Sequence, residues 1–442
     1  MPRLRLPPLQ PPLPPRPAHR LRRAPLTRAL SGPSASGGAA DALDLGTPWR
    51  RDTRLPGMGN VPHTLGVVAL NQPLQLASGA VIPASAMHVE YASFGDESLP
   101  VVALFPSMSN SALAVDSPLD ARGRGSGWWS RVLGHGPEYG LDVSRYRVVV
   151  GAVLGAPFGT TSPLSLNPDT GAAYGPDFPR ITPEDMARTQ MLLLRALLGA
   201  GKVHAVVGGS MGGMQAIHFA ALFPEAYDRF AAIATTAHTA PSTVALRSVQ
   251  RAAVRADPSF QHGRYRALPT AGLRVARMIG TIGYRSRKEF DARFSWQPNP
   301  HDGSFEVERY LEHQAEKFTR LALYDANCYL LLSEAMDRMD VGAGCASFDQ
   351  GAARVPADKE AMLLAYDTDV LTPPEDSARL ASALGANGVR VHLEVLHSLL
   401  GHDTFLAPGE APPLNFRLRE FLNAPRGHAA DAVRRLVKEM GG

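Results

Sequence analysis

The chain has 442 residues, a formal net charge of +4 and a hydrophobic share of 45%, enough for one large α/β domain with an insertion or for two domains. Its positive excess lies before the first acid, Asp41, in Arg3, Arg5, Arg16, Arg20, Arg22, Arg23 and Arg28, so net charge gives no argument for nucleic-acid binding. Cys328 and Cys345 are too few for a disulfide framework and wrongly spaced for a metal cluster, and no apolar run reaches the ~20 residues that span a bilayer.

Residues 1–50 are rich in Arg, Pro and Ala, then in Ser and Gly, and resemble an organellar transit peptide. The mitochondrial matrix is the preferred destination, with the cytoplasm or a plastid as alternatives. Prolines up to Pro17 oppose an amphipathic helix, which only His19 to Leu30 can supply. Pro73 to Pro83 predicts the start of a hairpin, and Met87 to Phe94 its partner strand. Short apolar runs at Pro100–Phe105, Arg147–Val153, Val203–Val207, Phe230–Ala234, Glu360–Tyr366 and Val389–Val395 predict buried strands of a mostly parallel sheet. Pro183–Leu198, Gln215–Phe223 and Pro373–Leu384 predict helices, and the alternation predicts an α/β fold. Between the core segments 60–241 and 346–425, residues 242–345 change to helical spacing, including Phe305 to Asp340, which predicts a cap. Residues 426–442 form a C-terminal tail or helix in this reading.

Gly208-Gly209-Ser210-Met211-Gly212 stands between a strand-like and a helix-like run. A serine on so tight a turn needs neighbours without side chains, which Gly208 and Gly212 provide, and Ser210 becomes the candidate nucleophile. The Met211 amide, opening the helix, is a candidate oxyanion donor. A second donor is expected from Phe105-Pro-Ser-Met-Ser-Asn-Ser111, at the amide of Ser107 or Met108.

A serine hydroxyl needs a base, and the base needs an acid to hold its tautomer. Beyond the strand run ending at Tyr366, Asp367 and Asp369 both qualify, although a short acid such as Asp367 can bind turn amides instead. His402 follows the last strand run in a glycine-led loop, with His397 as competitor; topological position favours His402. No Gly-rich phosphate loop, metal-binding His pair or coenzyme fingerprint is visible, so side-chain chemistry with a diffusible acyl donor and no metal is expected.

Over roughly residues 60 to 425 the chain resembles the homoserine O-acetyltransferase family. The resemblance rests on Gly127-Trp-Trp129, Leu154-Gly-Ala-Pro-Phe-Gly-Thr-Thr161, Asn167-Pro-Asp-Thr-Gly171, Gly208-Gly-Ser-Met-Gly-Gly-Met-Gln215, Phe305-Glu-Val-Glu308, Tyr324-Asp-Ala-Asn327, Ala335-Met-Asp337 and Gly401-His-Asp403. It implies an α/β-hydrolase fold, with a mostly parallel eight-stranded sheet and a helical cap insertion. It selects Asp369, because Thr368-Asp-Val-Leu-Thr-Pro-Pro374 matches the family's acid segment, and it supports His402 as base. It further implies Arg277 as partner of the substrate carboxylate, Asp403 as partner of its ammonium, and a homodimer. No tightly bound cofactor is implied; acetyl-CoA or another acyl-CoA is the co-substrate, and homoserine or serine the acceptor.

The expected mechanism is ping-pong through an acyl-enzyme. Phe105-Pro-Ser-Met-Ser109, Ala152 and Thr161-Ser162-Pro163 depart from the family pattern where acceptor length could be sensed, which keeps serine as a rival to homoserine. Leu371 stands where succinyl-specific members tend to carry arginine, which favours acetyl. The elbow by itself is equally compatible with an esterase or thioesterase.

Overall fold

The computed structural model describes residues 53–55, 61, 63–116, 127–320 and 324–425. The expected leader, 1–50, and the C-terminal tail, 426–442, lie outside the described residues.

The strands are β1 (Thr53–Leu55), β2 (His63–Ala69), β3 (Leu74–Gln75), β4 (Val81–Ile82), β5 (His88–Phe94), β6 (Val101–Phe105), β7 (Leu133–Gly134), β8 (Leu141–Asp142), β9 (Arg147–Gly151), β10 (Val203–Gly209), β11 (Tyr227–Ile233), β12 (Glu360–Tyr366) and β13 (Arg390–Leu396). Nine of them form one sheet in the order β1-β2-β5-β9-β6-β10-β11-β12-β13. The expected eight-stranded sheet is thus present, with the short β1 added at one edge. From β9 through β13 every neighbouring pair is parallel, whereas β1, β2 and β5 join antiparallel. All seven residues of β12 are buried, as a strand covered on both faces requires.

The early pairing departs from expectation. Pro73 to Pro83 folds on itself as the β3–β4 ribbon, and the partner of β5 is β2, in the register Leu65↔Ala92. Every residue of β5 after His88 is buried, so its polar positions do not mark an exposed hairpin face. In β2, partly buried positions on both faces and the mid-strand Gly66 obscure the alternation.

The helices are α1 (Pro183–Leu198), α2 (Met211–Leu222), α3 (Pro241–Ala256), α4 (Thr270–Tyr284), α5 (Arg287–Arg293), α6 (Glu306–Arg320), α7 (Ala326–Asp337), α8 (Phe348–Ala352), α9 (Pro374–Ala386) and α10 (Ala411–Asn423). Thr182 and Asp185 close a capping box at the start of α1, and the Asp185 carboxylate also accepts the Ala77 amide at 2.8 Å, tying the β3–β4 ribbon to the helix. Helices α3 to α8 intervene between β11 and β12, with α4 packed on both α3 and α6. The run Phe305 to Asp340 divides into α6 and α7, and Asp325 caps α7 by accepting the Cys328 amide.

Arg229, buried on β11, fastens the last helix to the sheet. Its guanidinium donates to the Ala424 carbonyl at 3.1 and 3.2 Å and to the Phe421 carbonyl, and it lies 3.3 Å from the buried Glu360 on β12. Carbonyls at a helix C-terminus lack intrahelical partners, so one cation serves the end of α10 and a sheet carboxylate together. Arg229→Met, which leaves Glu360 without this partner, is expected to lower unfolding free energy by about 3–5 kcal/mol, read as a shift in denaturant midpoint at unchanged m-value.

Candidate active site

Strand β10 ends at Gly209, α2 begins at Met211, and Ser210 between them has φ 53° and ψ −121°, a conformation that L-residues avoid. The flanking glycines have a measurable steric purpose. A Cβ on Gly208 would stand 2.1 Å from the Gly212 carbonyl oxygen, and one on Gly212 would stand 2.0 Å from that of Phe105. The Ser210 amide donates to Ile233 O at 2.8 Å, and the Thr235 hydroxyl donates to Ser210 O at 2.7 Å.

The structure brings Ser210, His402 and Asp369 together from three distant segments. Ser210 Oγ is 2.8 Å from His402 Nε2, and His402 Nδ1 is 2.7 Å from Asp369 Oδ2. Asp369 is buried beyond β12 and also accepts the amides of Leu371 and Thr372 at 2.9 and 3.0 Å and the Thr372 hydroxyl at 2.8 Å. Burial alone would raise its pKa, but the charge and hydrogen bond of His402, with the Thr372 donors, hold the carboxyl below the usual range. For His402 burial acts downward, yet the Asp369 charge and hydrogen bond, helped by Asp403, bring its pKa above the ordinary imidazole value.

The two competing residues pair with each other elsewhere. His397 Nδ1 lies 2.6 Å from Asp367 Oδ2, His397 is largely exposed, and the other Asp367 oxygen accepts the Ser398 amide at 3.1 Å. Asp367 therefore holds a turn.

Strand β6 runs beside β10 with Phe105 opposite Gly208, so the loop carrying Ser107 and Met108 leaves the sheet next to the elbow. Met211 is buried at the first position of α2. Gln215, one turn further along, donates to the Pro106 carbonyl at 3.0 Å.

Arg277 and Asp403 approach His402 by different routes. The Arg277 guanidinium lies over the rings of Tyr284 and Phe318, at 5.5 and 5.4 Å from their centroids, and has no carboxylate partner among the described residues. Tyr284 in turn lies 6.2 Å, centroid to centroid, from His402. Asp403 follows His402 directly and is half-buried, with Oδ2 3.1 Å from Arg285 Nε; this is an ion pair without an aligned hydrogen bond. Tyr284, Arg285 and Thr372 were not among the residues expected from sequence. Only Tyr284 had an available signal, the seven-residue spacing from Arg277 that places both on one helix face.

Among the described residues, no group of His, Cys, Asp and Glu could hold a metal ion. The arrangement can generate an alkoxide equivalent at Ser210, and Arg277, which has no carboxylate partner among the described residues, can meet one.

A family model for the alpha/beta hydrolase fold matches residues 131–405. The serine O-succinyltransferase of Litchfieldella anticariensis is 36% identical over 364 residues, covering 79% of this chain and 96% of its own. The homoserine O-acetyltransferase of Citrifermentans bemidjiense is 35% identical over 347 residues, covering 77% of this chain and 92% of its own. The crystal structure of homoserine O-acetyltransferase from Bacillus anthracis shares the fold with a TM-score of 0.72 at 22% identity, covering 86% of this chain and 99% of that one. Sheet order, elbow and relatives agree, and the chain belongs to the homoserine O-acetyltransferase family of α/β-hydrolase-fold acyltransferases.

Proposed function

We propose that this acyltransferase is an acetyl-CoA:L-homoserine O-acetyltransferase that works through an acyl-enzyme on Ser210. The observation that carries the reading is the unbroken path from Ser210 Oγ through His402 to Asp369, at 2.8 and 2.7 Å. His402 takes the Ser210 proton as Oγ attacks the thioester carbonyl, and the amides of Met211 and of Ser107 or Met108 receive the oxyanion. Collapse breaks the carbon–sulfur bond, and His402 returns the proton to the departing CoA thiolate. The acceptor hydroxyl then gives its proton to His402 and attacks the acyl carbonyl; collapse breaks the carbon–oxygen bond to Ser210, and His402 returns the proton to Oγ.

In this reading Arg277 binds the acceptor carboxylate and Asp403 its ammonium. The lack of a carboxylate partner for Arg277 among the described residues supports that role, because a half-buried guanidinium lying over aromatic faces gains from an anionic ligand. Acetyl is favoured over succinyl because Leu371, apolar and buried, occupies the position two residues beyond Asp369. Serine is the second acceptor reading, motivated by Phe105-Pro-Ser-Met-Ser109 and by the serine O-succinyltransferase relative. The arginine-rich leading segment supports delivery to the mitochondrial matrix, and Val249, Val275 and Ile282, exposed on α3 and α4, support a homodimer through the cap.

Purified protein given acetyl-CoA with homoserine and serine in competition is expected to yield O-acetylhomoserine as the main product by mass spectrometry. Predominant O-acetylserine would transfer the assignment to serine, and CoA release independent of either acceptor would indicate hydrolysis. His402 must be neutral to act as base, and its pKa is raised. The acid limb of kcat/KM should therefore lie above the ~6.5 of a free imidazole, with activity falling as pH drops through it. Asp369→Asn removes the group responsible, so its residual activity, lower by roughly 10⁴, should titrate at lower pH. Arg277→Leu should raise the acceptor KM by about 10- to 100-fold, the scale of one lost charge-assisted hydrogen bond, and leave acylation by acetyl-CoA unchanged.

A further inference from the structure

The three consecutive carbonyls of Pro106, Ser107 and Met108 each have a different donor. Pro106 O accepts Gln215 Nε2 at 3.0 Å, Ser107 O accepts the Asn110 amide at 3.1 Å, and Met108 O accepts the Tyr324 hydroxyl at 2.7 Å. In a planar trans peptide the C=O and the next N–H point in opposite directions, so fixing a carbonyl fixes the amide that follows it. The three contacts thus aim the N–H groups of Ser107, Met108 and Ser109 away from Gln215, Asn110 and Tyr324. Among the described residues, no protein acceptor takes any of these three amides. A run of oriented donors without internal acceptors is how a backbone presents itself to an anion.

We infer that Gln215, which fixes the peptide carrying the Ser107 amide, and Tyr324, which fixes the peptide after Met108 and so holds the chain on the far side of the Met108 amide, are positioning residues that preorganise this loop for the acyl oxygen. Gln215 is itself held: its Oε1 accepts Gln190 Nε2 at 3.3 Å, and Gln190 also donates to Gly151 O at 3.0 Å. Tyr324 reaches the loop from the segment before α7. Its ring stacks on Phe318, with centroids 5.3 Å apart and planes inclined by 27°, and Phe318 is one of the two rings beneath the Arg277 guanidinium. The acceptor arginine and the oxyanion loop therefore share one aromatic stack. Preorganised donors contribute most where charge develops and no solvent has to reorient.

The inference rests on the reading of Ser210 as the acyl-carrying nucleophile, and the test separates the two. Tyr324→Phe deletes only the hydroxyl and keeps the stacked ring. Pre-steady-state CoA release from acetyl-CoA should slow by about 10- to 100-fold, less than the ~10²–10³ seen when an oxyanion donor is removed outright. Affinity for an alkylboronic acid, whose tetrahedral adduct places a hydroxyl at the oxyanion position, should fall by the same factor. The acceptor KM, the thermal midpoint and the acid limb of the pH profile should not move. Gln215→Met is the parallel variant, expected to show the same proportional loss in acylation and boronate affinity. Acylation at the wild-type rate in Tyr324→Phe, or slow acylation with undiminished boronate affinity, would overturn the inference. Ser210→Ala assayed alongside decides the underlying reading: continued CoA release there removes the acyl-enzyme, whereas an inert Ser210→Ala with an unimpaired Tyr324→Phe removes only the role given to the loop.

Discussion

A single backbone conformation underlies the site. Ser210 sits at φ 53° with a side chain attached, and non-glycine residues in such regions cost about 1–3 kcal/mol unless their surroundings hold them there. The neighbouring strand does much of the holding, since β11 supplies Ile233 O to the Ser210 amide and Thr235, just beyond it, donates to Ser210 O. Ala234, between those two residues, is also at positive φ, 46°, and its amide donates to Leu364 O on β12 at 2.7 Å. Positive-φ residues with side chains thus stand just beyond the C-terminal ends of two adjacent central strands. The elbow lifts Oγ clear of the backbone and sets it facing His402.

The acid and base loops are stitched to each other and to the cap. Thr368 donates through its hydroxyl to Ser398 O and accepts the Gly401 amide at 3.1 Å, which couples the segment before Asp369 to the segment before His402. From the cap, Thr243 on α3 donates to Leu371 O at 3.1 Å, and Ser286, before α5, donates to Leu399 O. Gly401 allows that contact, because a Cβ there would stand 2.9 Å from both Ser286 N and Tyr284 O. Cap position and triad geometry are consequently linked.

What could be read from sequence was whatever is local. The elbow is a five-residue pattern with steric logic in its glycines, and the parallel strands are short apolar runs that no helix of that length would bury. Asp369 and His402 needed topological order and family likeness to separate them from Asp367 and His397; the structure shows why composition could not, since the rejected pair makes a surface contact of equally good geometry. Strand β2 was missed because its buried positions do not alternate, and its true partner had been assigned to the wrong neighbour. Tyr324, Gln215 and Arg285 were illegible for a different reason. Their roles arise from contacts with segments far away in the chain, and no spacing within one segment encodes which carbonyl a tyrosine or a glutamine will reach.

The account depends most directly on the acyl group residing covalently on Ser210 between donor and acceptor. Protein mixed with acetyl-CoA in the absence of acceptor, quenched in acid and analysed as intact mass and as peptides, should carry one acetyl group on Ser210 that disappears when homoserine is added before the quench. An unmodified protein that nevertheless acetylates homoserine under the same conditions, or an acetyl group on any other residue that turns over with the acceptor, would contradict it.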